Sequence, residues 1–186
     1  MSRRVMKMPK TVSGHQAITS WGSPLLRAMR VPGTKISLRT RRSANPLFLH
    51  LAARLNDEVK PLSKRNTWSY NYRPIRMGQA VSDHAGYAID CWSDDIGAHR
   101  WPSKMPATKA RKISKILESY KTPEGKYIFG WGASKLAPGV TYKGKTHKTK
   151  AGNDPMHFFI APGITNRDLM RTRRAMKLRT NGTVKN

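Results

Sequence analysis

Ser82-Asp83-His84-Ala85-Gly86-Tyr87-Ala88-Ile89-Asp90 and Asp154-Pro155-Met156-His157-Phe158-Phe159-Ile160 are the stretches from which the rest of this chain is read. Gly86 to Trp92 alternates as a strand, with Ala88 and Asp90 on one face and Tyr87, Ile89 and Cys91 on the other. Pro155 to Ile160 reads as a second strand. A carboxylate inside an apolar strand is costly unless it has a partner, so Asp90 calls for one. Two histidines and an aspartate, His84, His157 and Asp90, can hold a Zn²⁺ and leave its fourth position open. Asp154, three residues before His157, is a carboxylate of the type that serves as a general base. Arg73, in Tyr72-Arg73-Pro74-Ile75-Arg76, can neutralise a developing oxyanion, with Arg76 as the fallback.

The ligand spacing constrains the backbone. On a straight strand the six residues from His84 to Asp90 would span about 20 Å. Two ligands of one zinc have donor atoms only about 2 Å from the metal. The chain must therefore bend between them, and Gly86 is the residue that permits a bend.

Outward from these stretches, the elements are those of an α+β domain. Asn45-Pro46 resembles an N-cap followed by proline at the first helical position. Leu47, Phe48, Leu51, Leu55 and Val59 then recur at helical spacing and predict a helix over 46–59. Thr67 to Arg73 alternates as a strand that sends Arg73 to its polar face. Thr108 is a candidate cap for a helix over 109–120, with Ile113, Ile116, Leu117 and Tyr120 as its apolar face. Lys126 to Trp131 reads as a further strand, and 132–153, rich in Gly, Lys and Thr, as a long loop beside the site. The expected fold is a small, mostly antiparallel sheet with helices packed on one side and the zinc site at the sheet.

Charge sets the ends apart. The net charge is +26, from 36 Lys and Arg against 10 Asp and Glu. Residues 1–42 carry ten Lys or Arg and no carboxylate, and residues 163–186 carry seven and one. Both ends read as flexible basic arms that seek polyanions and take no part in the chemistry. The expected organisation is a basic N-terminal arm over 1–43, a domain carrying the zinc motifs over 44–162 and a basic C-terminal tail over 163–186. Of the ten carboxylates, Asp83, Asp90, Asp94, Asp95 and Asp154 lie in or beside the two motifs, which suggests that a cation is held there. No apolar run approaches the roughly 18 residues of a membrane span. The charged start, Met1 to Lys10, has no apolar segment after it, so no signal peptide is expected. A single cysteine, Cys91, excludes an internal disulfide.

The order of Ser82-x-His84, Gly86-x-Ala88-x-Asp90 and Asp154-x-x-His157-Phe-Phe-Ile160 resembles the zinc D-alanyl-D-alanine peptidase superfamily. That group contains D,D-carboxypeptidases, dipeptidases and the L-alanyl-D-glutamate endopeptidases used as phage endolysins. The Tyr72 to Arg76 segment and the Gly130-Trp131-Gly132 turn look like the phage branch, and the resemblance covers roughly 44–162. The first motif departs from the family's: only Ala85 separates His84 from Gly86, where the family has two residues. The resemblance implies His84, Asp90 and His157 as zinc ligands, Asp154 as base and an arginine of the Tyr72–Arg76 segment over the scissile carbonyl. It implies hydrolysis of peptidoglycan stem peptides, by a protein made in the host cytoplasm and released by a holin or carried in a virion. The basic arms would adsorb to anionic wall polymers, with nucleic acid as a non-specific partner.

The residues leave other readings open. His157, between Met156 and Phe158, taken alone reads as a core histidine, and His84 as a turn cap. His50 reads as structural, and His147, in a Lys-rich loop, as solvated. Trp92, Trp101 and Trp131 can line a groove or close the core. Two rival functions also fit: a basic nucleic-acid- or virion-binding protein with an inactive peptidase-like fold, and a D-amino-acid dipeptidase or carboxypeptidase.

Overall fold

The structure, a computed structural model, describes residues 27–30, 37–40, 45–59, 67–69, 88–91, 105–149 and 152–185. Asn45 starts the first helix, α1 (Pro46–Val59). Its Oδ1 accepts the amide of Leu47 at 3.0 Å, satisfying one donor that the helix leaves unpaired. Pro46, having no amide, leaves none to satisfy. Leu47, Phe48, Leu51, Leu55 and Val59 are all buried, as their spacing predicts. The second helix, α2 (Ala107–Glu118), starts earlier than expected. Pro106, not Thr108, is the N-cap, and no side chain caps the helix. Its apolar face is the expected one: Ile113, Ile116, Leu117 and Tyr120 are buried.

Seven strands among the described residues form one sheet in the order β1-β2-β3-β4-β7-β5-β6. They are β1 (Arg27–Arg30), β2 (Ser37–Thr40), β3 (Thr67–Ser69), β4 (Ala88–Cys91), β5 (Phe129–Trp131), β6 (Lys145–Thr146) and β7 (His157–Ile160). The β2–β3 and β5–β6 pairs are parallel and the other four antiparallel, so the α+β sheet is mixed. Phe129 and Trp131 of β5, Ile89 of β4, and Phe158 and Ile160 of β7 join α1 and α2 in one core. Phe129 meets Phe48 at 5.2 Å and Tyr120 at 4.9 Å between ring centroids. His50 is structural: its Nδ1 lies 2.9 Å from the Tyr120 hydroxyl. Burial, and then the charge of Arg54, hold His50 below the usual imidazole range. Burial thus favours the neutral ring, which shares one hydrogen bond with the Tyr120 hydroxyl.

Both ends differ from expectation. β1 and β2 lie within the stretch read as an N-terminal arm, yet β1 pairs with β2, and β2 with β3. Residues 163–185, read as a C-terminal tail, carry regular structure. A third helix, α3 (Asn166–Ala175), opens with a complete capping box: Thr165 Oγ1 accepts from the Asp168 amide and Asp168 Oδ2 from the Thr165 amide. Leu169, Thr172 and Leu178 are buried, and the chain turns back so that Leu178 bridges Val184. Gly182 then seats directly on α1, where a Cβ would stand 2.6 Å from Leu49 Cβ. The error has a physical source. Arginines dominate the composition of α3, but they occupy the exposed side of a short amphipathic helix whose buried stripe is only Leu169 and Thr172.

Candidate active site

Alternation along β7 divides its residues between two faces. Phe158 and Ile160 belong to the helix-side core. His157 and Phe159 take the opposite face, and their rings stack at 5.7 Å and 25°. Ala88 and Phe159 are buried but are not part of the helix-side core. His157 is only 2% exposed, so it is a buried histidine on the face opposite the helix-side core.

The strand register brings two expected ligands together. β4 and β7 run antiparallel with Ala88 opposite Phe159, Ile89 opposite Phe158 and Asp90 opposite His157. Directly opposed positions in such a pair share a face and lie about 5 Å apart. Asp90 also stands opposite Ser69 of β3, so its strand is paired on both sides.

Asp154 reaches this place through turn chemistry. The His157 amide donates to the Asp154 carbonyl at 3.1 Å, closing a four-residue turn with Pro155 at its second position. The Met156 amide donates to Asp154 Oδ1 at 3.2 Å. The carboxylate is half-buried, within reach of solvent. The acid-x-x-His spacing thus has a structural cause, and it puts a carboxylate at the entrance to the strand that carries His157.

Gly132 cradles this turn. Its amide donates to the His157 carbonyl at 2.8 Å, and its carbonyl accepts from the Asp154 amide at 2.9 Å. A Cβ on Gly132 would stand 2.4 Å from the Asp154 carbonyl oxygen and 2.9 Å from His157 Cβ. Gly130 has the matching role one pair along: a Cβ there would come within 2.3 Å of the Phe159 ring. The residue between them, Trp131, closes the core, with its Nε1 donating to the Pro155 carbonyl at 2.8 Å. We expect Gly132→Ala to cost about 1–3 kcal/mol, the scale of overpacking, because the clashing atom is backbone and cannot swing away. Denaturant unfolding measures it; an unchanged midpoint would mean that the turn has room to spare.

The long loop carries a feature that the sequence reading missed. Within 132–153, β6 pairs with β5. Tyr142 donates to the Phe129 carbonyl and Ser114 to the Thr141 carbonyl, while Asn153 bonds both backbone groups of Lys135. His147 is exposed, but its amide is fixed on the Trp131 carbonyl at 3.1 Å and its ring meets Phe159 edge-on at 4.9 Å. It stands one ring beyond His157, on the same face. The available signal was the two-residue period, which β6 is too short to display.

Arg73, Arg76, His84 and His99 lie outside the described residues, as do Trp92 and Trp101, and Asp90 is described through its backbone. Among the described residues no three His, Cys, Asp or Glu side chains form a metal-holding group. Two of the three expected ligands stand outside that count. No helix among the described residues is long and apolar enough to cross a membrane. No family model, curated protein or solved structure matches the chain.

Proposed function

We propose that this chain is a zinc peptidase that cuts the stem peptides of peptidoglycan, of the phage lytic or virion-associated kind. The observation that carries the reading is the β4–β7 register, which sets Asp90 opposite His157 on the face away from the core. His157 and Asp90 belong to the donor types that zinc takes, and their placement fits a shared ion. His84 would complete the set. Zinc, when bound, supplies a Lewis acid that brings the pKa of water near 7.

The chain's own residues do the rest. Asp154, half-buried at the mouth of the turn, accepts a proton from the attacking water and returns it to the leaving amine. Its hydrogen bond from the Met156 amide holds the carboxylate in place. Arg73 steadies the negative oxygen that develops on the scissile carbonyl. The basic surface would favour adsorption to anionic wall polymers.

The deciding measurement is zinc content beside hydrolysis of soluble muropeptides. The purified chain should hold stoichiometric zinc, and His157→Ala should lose it. A chain without zinc or hydrolysis that binds DNA with a steep salt dependence would overturn the reading in favour of a nucleic-acid-binding protein. Arg73→Ala should lower turnover by roughly two to three orders of magnitude with zinc unchanged, the effect of losing one oxyanion donor. Arg73→Lys should restore only part of it, since a point charge replaces a planar fork. If Arg76→Ala gives the large loss instead, Arg76 holds that role.

A further inference from the structure

We infer that Lys145 and His147, on edge strand β6 and just after it, form a subsite for a carboxylate of the bound peptide; the inference rests on the peptidase reading above. The register supplies the placement. Gly130 pairs with Phe159 on one side and with Lys145 on the other. Paired positions share a face, so position 145 belongs with Phe159 and His157, away from the helix-side core. His147, two residues on, repeats that face, and its ring contact with Phe159 agrees.

Phe159 forms the floor of this face. Phe159 lies over Gly130, where any Cβ would collide with its ring. The Phe159 ring lies 5.7 Å from that of His157 and 4.9 Å from that of His147. The two imidazoles are thus no farther apart than those separations together, roughly three residues of an extended peptide at about 3.4 Å each. A peptide with its scissile bond at His157 would carry a group two or three residues away to His147.

The chemistry at that end is cationic. From residue 125 to residue 153 the chain has Lys126, Lys135, Lys143, Lys145, Lys148 and Lys150 and no carboxylate. Lys145, His147 and Lys148 are exposed. An imidazole N–H and an ammonium side by side recognise a carboxylate through charge-assisted hydrogen bonds. The wall is also held in place. The His147 amide is anchored on Trp131, the Lys143 amide on Glu118 Oε1 at 2.8 Å, and Gly144 packs on Tyr142 where a Cβ would stand 2.2 Å from its hydroxyl oxygen.

The test is equilibrium binding with every chain carrying Asp154→Asn, so that the probes are bound and not cut; wild type here means unchanged at positions 145 and 147. The probes are the peptide L-Ala-D-Glu-L-Lys-D-Ala and the same peptide with its carboxyl groups amidated, at about 0.15 M salt so that distant surface charge is screened. The wild-type chain should bind the acid form about tenfold or more tighter, the scale of one hydrogen bond to a charged group. Lys145→Gln with His147→Gln should bring the two peptides to within about twofold. Arg174→Gln with Lys177→Gln, which removes charge elsewhere, should leave the preference intact. The subsite is refuted if the first pair of substitutions keeps the preference, or if the second pair abolishes it equally. Zinc is assayed on the same samples. A wild type that holds no zinc but loses its preference on the first pair would end the peptidase reading and leave the carboxylate subsite standing.

Discussion

Asp154→Asn should abolish most hydrolysis while the protein stays folded and keeps its zinc. The substitution separates two jobs of one side chain. As the first residue of the turn into β7, Asp154 accepts the Met156 amide through Oδ1. Asparagine has the same acceptor and the same preference for that position, so the turn persists. As a base, Asp154 takes a proton, and an amide cannot. General acid–base groups contribute about 10²- to 10⁴-fold, so turnover on muropeptides should fall by that much. The melting temperature should hardly move. Asp154→Ala should show the same loss together with lower stability, since the turn then loses its acceptor. Loss of zinc from Asp154→Asn would mean that the carboxylate binds the ion. Full activity would mean that another group takes the proton.

Ending the chain after Gly163 should prevent folding. Residues 164–185 look dispensable by composition, but Ile164, Leu169 and Leu178 are 2%, 7% and 3% exposed, and Gly182 lies against Leu49, the His50 amide and the Pro46 carbonyl. Truncating one buried Leu or Ile to Ala costs about 2–5 kcal/mol. Removing three such side chains, with a capping box besides, rivals the whole net stability of about 5–15 kcal/mol of a typical domain. The shortened chain should lack a cooperative denaturant transition. The milder Leu178→Ala should fold with about 2–4 kcal/mol less stability. A shortened chain that melts cooperatively would show that α3 is an appendage after all.

The sequence was most legible where a single periodicity ran long enough to be seen. α1 matches its expected bounds because fourteen residues repeat one apolar face between Asn45 and Pro61. β4 was legible from alternation and β7 as an apolar run, but the register that sets Asp90 opposite His157 comes from their pairing. What escaped was short or depended on distant partners. β1 and β2 are four-residue strands among arginines, formed by pairing with each other and with β3. α3 hides two buried side chains among four basic or polar exposed ones. The Thr165–Asp168 box is a local signal for its start, but the basic composition around it masks the short buried stripe. His147 was read as solvated because it is flanked by lysines. It is exposed, but the parallel pairing of β6 with β5 decides where it sits, and sequence spacing carries no trace of that pairing.

Among the described residues β6 has a neighbour on one side only, whereas β7 is hydrogen-bonded on both flanks and alternates core residue with site residue along its length. A change of side-chain volume at position 158 or 160 is felt at once by the residues beside it on the opposite face. At the exposed position 145 the same change meets solvent. Mutational freedom is thus distributed unevenly across one face. The interior of the sheet is committed to whatever chemistry it performs, and its margin is where a lineage could alter which molecules are accepted without refolding the machinery that processes them.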